Sequence, residues 1–195
     1  MISMSPKQRI CDNLIDSAKI YQSVFMDYDY LIYSNHFTIV PYYIISGIEG
    51  NFAHLTGVKP LIPARDFYLA CLDSTLRETD FEYRNEKSVK GTVKRKLKSF
   101  FELPRFFCRD LKAEENFSKG NILCTVGTAD NLITVGFIQL PHVRPMTLLK
   151  GNRLDPLKAV DITLVLRRDK GSKEFNAVIQ GGPGDMLSLL NKLMN

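Results

Sequence analysis

Tryptophan is absent and histidine nearly so: the 195 residues hold three, His36, His54 and His142. Few side chains can therefore ionise near neutral pH, and acid–base chemistry in that range falls on those positions. Cysteine is equally sparse. Cys11, Cys71, Cys108 and Cys124 stand far apart, with no C-x-x-C pair and no His/Cys cluster at metal-ligand spacing. That pattern argues against a zinc ribbon or a dithiol redox site and predicts reduced, mostly buried thiols. The carboxylates are dispersed and no H-x-x-x-H arrangement occurs, so neither a metal centre nor a cofactor is expected. No apolar run approaches the ~20 residues of a membrane-crossing helix. The N-terminus also lacks an apolar signal core with a small-residue cleavage site. The expectation is no membrane association and a cytoplasmic location. Repeats and low-complexity tracts are missing too, which excludes solenoid architectures.

What the chain does have is positive charge: 26 Lys and Arg against 21 Asp and Glu, a net charge of +5 and an isoelectric point near 9.0. Such a surface favours anionic partners, nucleic acid first among them, provided the charge clusters. It clusters in one place. A helix expected over about Glu86 to Phe101 turns Val89, Val93, Leu97 and Phe100 inward, while Lys87, Lys90, Lys94, Arg95, Lys96 and Lys98 crowd its remaining surface. A solvated helix face would look the same, so the cluster gains meaning only beside a site.

The rest of the chain divides into helices first and strands later. Ser5-Pro6-Lys7-Gln8 opens a helix whose apolar face is Ile10, Leu14, Ala18, Tyr21 and Phe25. Tyr28 to Ile45 is rich in β-branched and aromatic residues, broken near Asn35-His36, and reads as a hairpin or two short strands. Asn51 to Leu55 forms a short helical turn closed by Gly57, and a second helix spans Pro63 to Thr75. Beyond Pro104, Asn121 to Thr128 pairs with Leu132 to Leu140 through Ala129-Asp130-Asn131. Val160 to Arg168 pairs with Lys173 to Gln180 through Asp169-Lys170-Gly171-Ser172. A helix over Asp185 to Met194, with Met186, Leu189, Leu190 and Leu193 inward, ends the sequence; Gly181-Gly182-Pro183-Gly184 before it has no following Gly-Lys-Ser/Thr and is a strand-to-helix turn. The expected fold is α+β, with N-terminal helices packed on a C-terminal antiparallel sheet.

Of the three histidines, His36 and His142 sit beside Asn35 and Pro141 at strand or loop edges, positions typical of surface residues. His54 stands at a chain reversal, two residues before the Thr56 hydroxyl and three before Gly57. A histidine can be a satisfied structural group at such a place; it can also serve as a general base or acid. The run Asn51-Phe52-Ala53-His54-Leu55-Thr56-Gly57, followed by the Lys-rich helix and then by Pro145-Met146-Thr147-Leu148-Leu149, resembles the phage-associated members of the barnase-EndoU-colicin-RelE nuclease fold, in the subgroup numbered fourth. The resemblance spans roughly Tyr43 to Arg168. It implies a nuclease domain over residues 43–195 and an N-terminal helix-and-hairpin extension over residues 1–42.

The resemblance further implies helices on a four-stranded antiparallel sheet and metal-independent cleavage of RNA. In that reaction the ribose 2′-hydroxyl attacks the adjacent phosphorus and leaves a 2′,3′-cyclic phosphate. His54 then fits the base or the acid, Thr56 and Thr147 donate to phosphate, and Lys96 or Arg105 neutralises developing charge. Both threonine hydroxyls can equally bond their local backbone. Lys87, Lys90, Lys94, Arg95 and Lys98 would position RNA by its phosphates. The expected partner is tRNA, mRNA or rRNA, with a protein inhibitor or antitoxin as a possible second, for a phage or prophage conflict effector or toxin. The competing reading is a non-catalytic RNA- or protein-binding module on the same fold, such as a phage inhibitor of a host complex. A purely structural or assembly protein is the third.

Overall fold

The structure, a computed structural model, describes residues 5–83, 89–139 and 142–194. Helix α1 (Pro6–Tyr21) begins where expected, with the Ser5 hydroxyl accepting from the Gln8 N–H at 2.9 Å. It runs on as a π-helical turn over Gln22–Met26, which keeps Phe25 in line with Ile10, Leu14, Ala18 and Tyr21; all five are at most 3% exposed. Strands β1 (Tyr28–Tyr33) and β2 (Tyr42–Ser46) form the expected hairpin. A 3₁₀ turn (Glu49–Asn51) leads into the short helix α2 (Phe52–Thr56), then β3 (Val58–Pro60), α3 (Ala64–Leu72) and β4 (Phe81–Tyr83), which pairs with β3. The basic helix comprises a π-helical turn (Val89–Val93) and α4 (Lys94–Phe100), with Val93, Leu97 and Phe100 buried.

A 3₁₀ segment (Leu103–Cys108) then feeds the strands β5 (Lys112–Glu115), β6 (Ser118–Lys119), β7 (Ile122–Leu123), β8 (Val126–Ala129), β9 (Ile133–Ile138) and β10 (His142–Lys150). Next come β11 (Val160–Asp161), β12 (Leu164–Asp169), β13 (Ala177–Gln180) and α5 (Pro183–Met194). The β8–β9 turn is built on Asp130, whose carboxylate accepts the N–H groups of Leu132 and Ile133 and pairs with Arg109 at 2.7 Å.

Among the described residues the main sheet has nine strands in the order β11-β5-β8-β9-β10-β2-β1-β12-β13. The fold is α+β, as expected, but the sheet is mixed and not purely antiparallel. β10 lies parallel to β2, through His142 opposite Ile44 and Val143 opposite Ile45. The cause is connectivity: everything from α2 to β9 intervenes between β2 and β10, a crossover long enough to bring the chain back in the same direction. That short contact divides the sheet into two antiparallel halves. The boundary expected at residue 42 falls in the β1–β2 hairpin, and β1 lies between β2 and β12 inside the sheet. α1 shares one buried core with α2, α3, α4, β8, β9 and β10.

The two halves are also tied by Glu115 at the end of β5. Its carboxylate accepts from the Tyr43 hydroxyl on β2 at 2.6 Å, from the Thr38 N–H and hydroxyl, and from the Ile39 N–H. Burial opposes ionisation of this group, but the hydrogen bonds from Tyr43 and Thr38 outweigh it and hold its pKa below the ordinary value. The helix α5 departs from the sequence expectation. Leu189 alone among the described residues of that helix is buried, packing on Leu31, Tyr33, Leu164 and Leu166, while Met186, Leu190 and Leu193 face outward. The helix packs on the outer half of the sheet, and among the described residues no further layer covers its second face.

A carboxylate whose folded pKa is depressed contributes stability that is present above its unfolded pKa and is lost as pH falls through the folded value. Glu115→Gln is therefore expected to lower the urea midpoint at neutral pH. The difference from wild type should close as the pH is taken below the ordinary carboxylate range, because a protonated Glu115 resembles the amide. A difference that persists unchanged into acid would show that the charge contributes nothing.

Candidate functional site

The turn bearing His54 is held from below and from the side. Phe52 is fully buried, with its ring centroid 5.5 Å from Tyr21, 6.0 Å from Phe67, 5.4 Å from Tyr68 and 5.8 Å from Phe100. It is the wedge that pins α2 against α1, α3 and α4. Burying a side chain of that size contributes about 1.5–3 kcal/mol. From the side, the Asn51 amide donates to the Pro145 carbonyl of β10 at 2.9 Å. The two sequence segments singled out above, Asn51–Gly57 and Pro145–Leu149, are thus joined directly.

At this junction β10 carries a bulge. Pro145 pairs with Phe137 and Thr147 with Gly136, so Met146 has no partner on β9. Pro145 has no N–H to give to the ladder, and a bulge is how a sheet admits such a residue. Gly136 lies beneath Thr147: a Cβ there would come within 2.8 Å of the Thr147 methyl and 2.6 Å of the Cys124 sulfur. Thr147 can seat low in the sheet for that reason. Its hydroxyl bonds to no side chain or backbone group among the described residues.

α2 ends at Gly57, whose φ of +81° is the left-handed C-cap conformation. The glycine serves a second purpose. The Lys96 stem crosses it, and an added Cβ would meet Lys96 Cδ at 3.0 Å. Lys96 Nζ continues past the turn and donates to the His54 carbonyl at 3.2 Å, bringing a cation to the C-terminal end of α2.

His54, Lys96 and Thr147, with Met146 and the β6–β7 hairpin residues Asn121, Ile122 and Leu123, line one cleft of about 350 Å³. The side chain of His54 is exposed, Lys96 is half-buried and Thr147 is buried. Among the described residues no carboxylate belongs to this lining, and no group of three His, Cys, Asp or Glu side chains converges as a metal site.

Thr56 is not part of the cleft. It is fully buried, its hydroxyl donates to the Ala53 carbonyl at 2.8 Å and accepts from the Val58 N–H at 3.3 Å. The alternation of the turn explains this: with His54 pointing out, Thr56 two residues later points in and bonds the backbone locally. Arg105 is exposed on the 3₁₀ segment, away from the residues that line the cleft. Of the expected RNA-contacting residues, Lys87 and the side chain of Lys90 lie outside the described residues. Lys94 and Lys98 border a groove against α1 with Arg9, Ile10, Leu97 and Phe101. Arg95 faces the sheet instead. Sequence reasoning gave no site role to Met146 or to the hairpin residues 121–123; the bulge brings the first to the cleft, and the β6–β7 hairpin the others.

The cleft thus sets an imidazole and a lysine side by side at the edge of an α+β domain. The chain belongs to the family described as phage-Barnase-EndoU-ColicinE5/D-RelE like nuclease4, whose model matches residues 13–139, more than half its length. The match begins inside α1 and ends just after β9. It contains Asn51–Gly57 and α4, while Pro145–Leu149 lies beyond it. No curated protein and no solved structure matches the chain.

Thr56→Val is expected to cost about 1–3 kcal/mol, the usual consequence of leaving a buried backbone donor unsatisfied, read as a lower urea midpoint. Nucleic-acid affinity of the folded variant should be unaltered. Weaker binding with full stability would instead assign the hydroxyl to the ligand.

Proposed function

We propose that this family member is a metal-independent endoribonuclease that uses the substrate's own 2′-hydroxyl as nucleophile. The observation that carries the reading is the convergence of His54, Lys96 and Thr147 on one cleft. His54 is the only imidazole in the described lining, the side-chain type best suited to proton transfer near neutral pH, so it accepts the 2′-hydroxyl proton as the oxygen attacks phosphorus. The P–O5′ bond breaks, leaving a 2′,3′-cyclic phosphate and a 5′-hydroxyl. Lys96 and the Thr147 hydroxyl face the same space and stabilise the charge that builds on the phosphoryl oxygens. The described lining contributes neither a second imidazole nor a carboxylate. The departing oxygen therefore takes its proton from the Lys96 ammonium or from solvent.

RNA as substrate follows from this chemistry, since DNA lacks the nucleophile. The setting is a phage-associated conflict effector or toxin, and the net positive charge of the chain suits a polyanionic substrate.

The purified protein is expected to cut RNA in EDTA and to leave cyclic phosphate ends, and a 2′-deoxy substitution at the cut site should abolish cleavage. His54→Ala should slow the reaction by about 100- to 10,000-fold, the range for losing a general acid or base, with Thr147→Val having a smaller effect. Ends carrying a 5′-phosphate, or activity dependent on added Mg²⁺, would overturn the mechanism. RNA that is bound but never cut, by wild type and His54→Ala alike, would make the protein a binding module.

A further inference from the structure

Next to the cleft, and sharing Lys96 with it, lies a smaller recess of about 140 Å³ lined by Thr92, Arg95, Lys96, Lys150 and Arg153 over Leu148 and Leu149. We propose that Arg95, Lys150 and Arg153 form a phosphate subsite that holds the RNA backbone next to the cleavage position. This inference rests on the reading of the cleft as an RNA site. The recess is smaller than the about 300–1,000 Å³ that takes a drug-sized ligand, which suits one phosphodiester group and not a nucleoside.

Its charge is one-sided. Among the described residues four cations and no carboxylate line it, and Arg95, Lys150 and Arg153 have no ion-pair partner there. Elsewhere on the surface Lys59 pairs with Glu82, Arg65 with Glu49 and Lys112 with Asp161.

Both guanidinium groups are held by the backbone at one nitrogen. Arg95 Nε donates to the Gly91 carbonyl at 3.0 Å, and Arg153 Nε donates to the Lys150 carbonyl at 2.8 Å. The terminal nitrogens of each are left to donate elsewhere, in an orientation already set, which is the form of guanidinium that recognises phosphate.

The turn under Arg153 is itself braced from the core. The fully buried Thr134 hydroxyl donates to the Gly151 carbonyl at 2.8 Å and accepts from the Arg153 N–H at 2.8 Å, and Gly151, at φ +73°, donates back to the Leu132 carbonyl. Such bracing is more than a solvated loop requires. It fixes Lys150 and Arg153 opposite α4, so that helix and sheet supply the two sides of the recess.

Arg95 and Lys150 also border a further recess with Lys98, Ser99 and Glu102. The cations consequently form a path from the cleft along the α4–β10 seam. The next phosphate of the strand lies on that path.

The test is a salt titration of binding to a single-stranded RNA oligonucleotide, read by fluorescence anisotropy in the His54→Ala background so that cleavage is slow on the timescale of the measurement. Wild-type cleavage of the same RNA is measured in parallel. Combining Arg95→Gln, Lys150→Gln and Arg153→Gln should make the slope of log K against log salt shallower by roughly two, since each lost single-strand contact removes about 0.7. The urea midpoint should stay within error of the parent, which separates lost contacts from lost fold. Thr134→Val, which unbraces the turn without removing charge, should weaken binding less and leave most of the slope. An unchanged slope in the triple variant overturns the subsite even if wild type cleaves RNA as proposed. A shallower slope in a protein that never cleaves RNA leaves the subsite standing and removes the nuclease reading. Absence of RNA binding by the parent overturns the subsite.

Discussion

A single aromatic wedge sets the geometry of the site. Phe52 enters the aromatic cluster formed by Tyr21, Phe67, Tyr68 and Phe100, and it belongs to a helix of only five residues. A helix that short has little stability of its own, because its nucleation cost is not repaid by propagation. Packing of Phe52, together with the bond from Asn51 to the Pro145 carbonyl, supplies what the local hydrogen bonds cannot. Once Phe52 is buried, helical geometry leaves His54 little choice: two residues along, it lies on the opposite side of the turn and faces out. The same constraint carries Thr56 back into the interior.

The second element of the site is an irregularity in the sheet. Pro145 forces a bulge, the bulge leaves Met146 unpaired, and Gly136 below it makes room for Thr147. These departures from regular pairing lie next to the docked α2 turn. Bulges at such places re-aim side chains, and here the re-aimed residues form the wall opposite His54. Lys96 closes the arrangement by crossing Gly57, a position where any side chain would crowd its stem.

Charge is organised differently in the two parts of the molecule. Carboxylates inside the fold serve as acceptors for the backbone or as partners for cations that reach in from the surface: Asp29 with Arg168 and Lys170, Asp130 with Arg109, and Glu115 with the Thr38–Ile39 loop. Along the α4–β10 seam the cations Arg95, Lys150 and Arg153 stand without such partners among the described residues. The net charge of +5 is modest, and its concentration beside the His54 cleft matters more than its total, because screening limits the reach of exposed charges to about 8–10 Å.

Local patterns carried much of this in the sequence itself. The 3.6-residue spacing of Ile10, Leu14, Ala18 and Tyr21, the turn chemistry of Asp130 and the prominence of His54 ahead of Gly57 are all short-range signals, and short-range forces produce them. The family was legible for the same reason, since Asn51–Gly57 and the basic helix are contiguous runs inside the matched region. Tertiary structure alone decided which way each polar group faced and what it met. Thr56 and Thr147 look equivalent as residues, yet one spends its hydroxyl on the backbone and the other borders the cleft. The parallel contact of β10 with β2, the outward face of α5 and the approach of Lys150 and Arg153 to Arg95 all depend on pairing between segments far apart in the chain. Periodicity records that a residue has an inner and an outer side; it holds no information on which distant segment will come to rest against either.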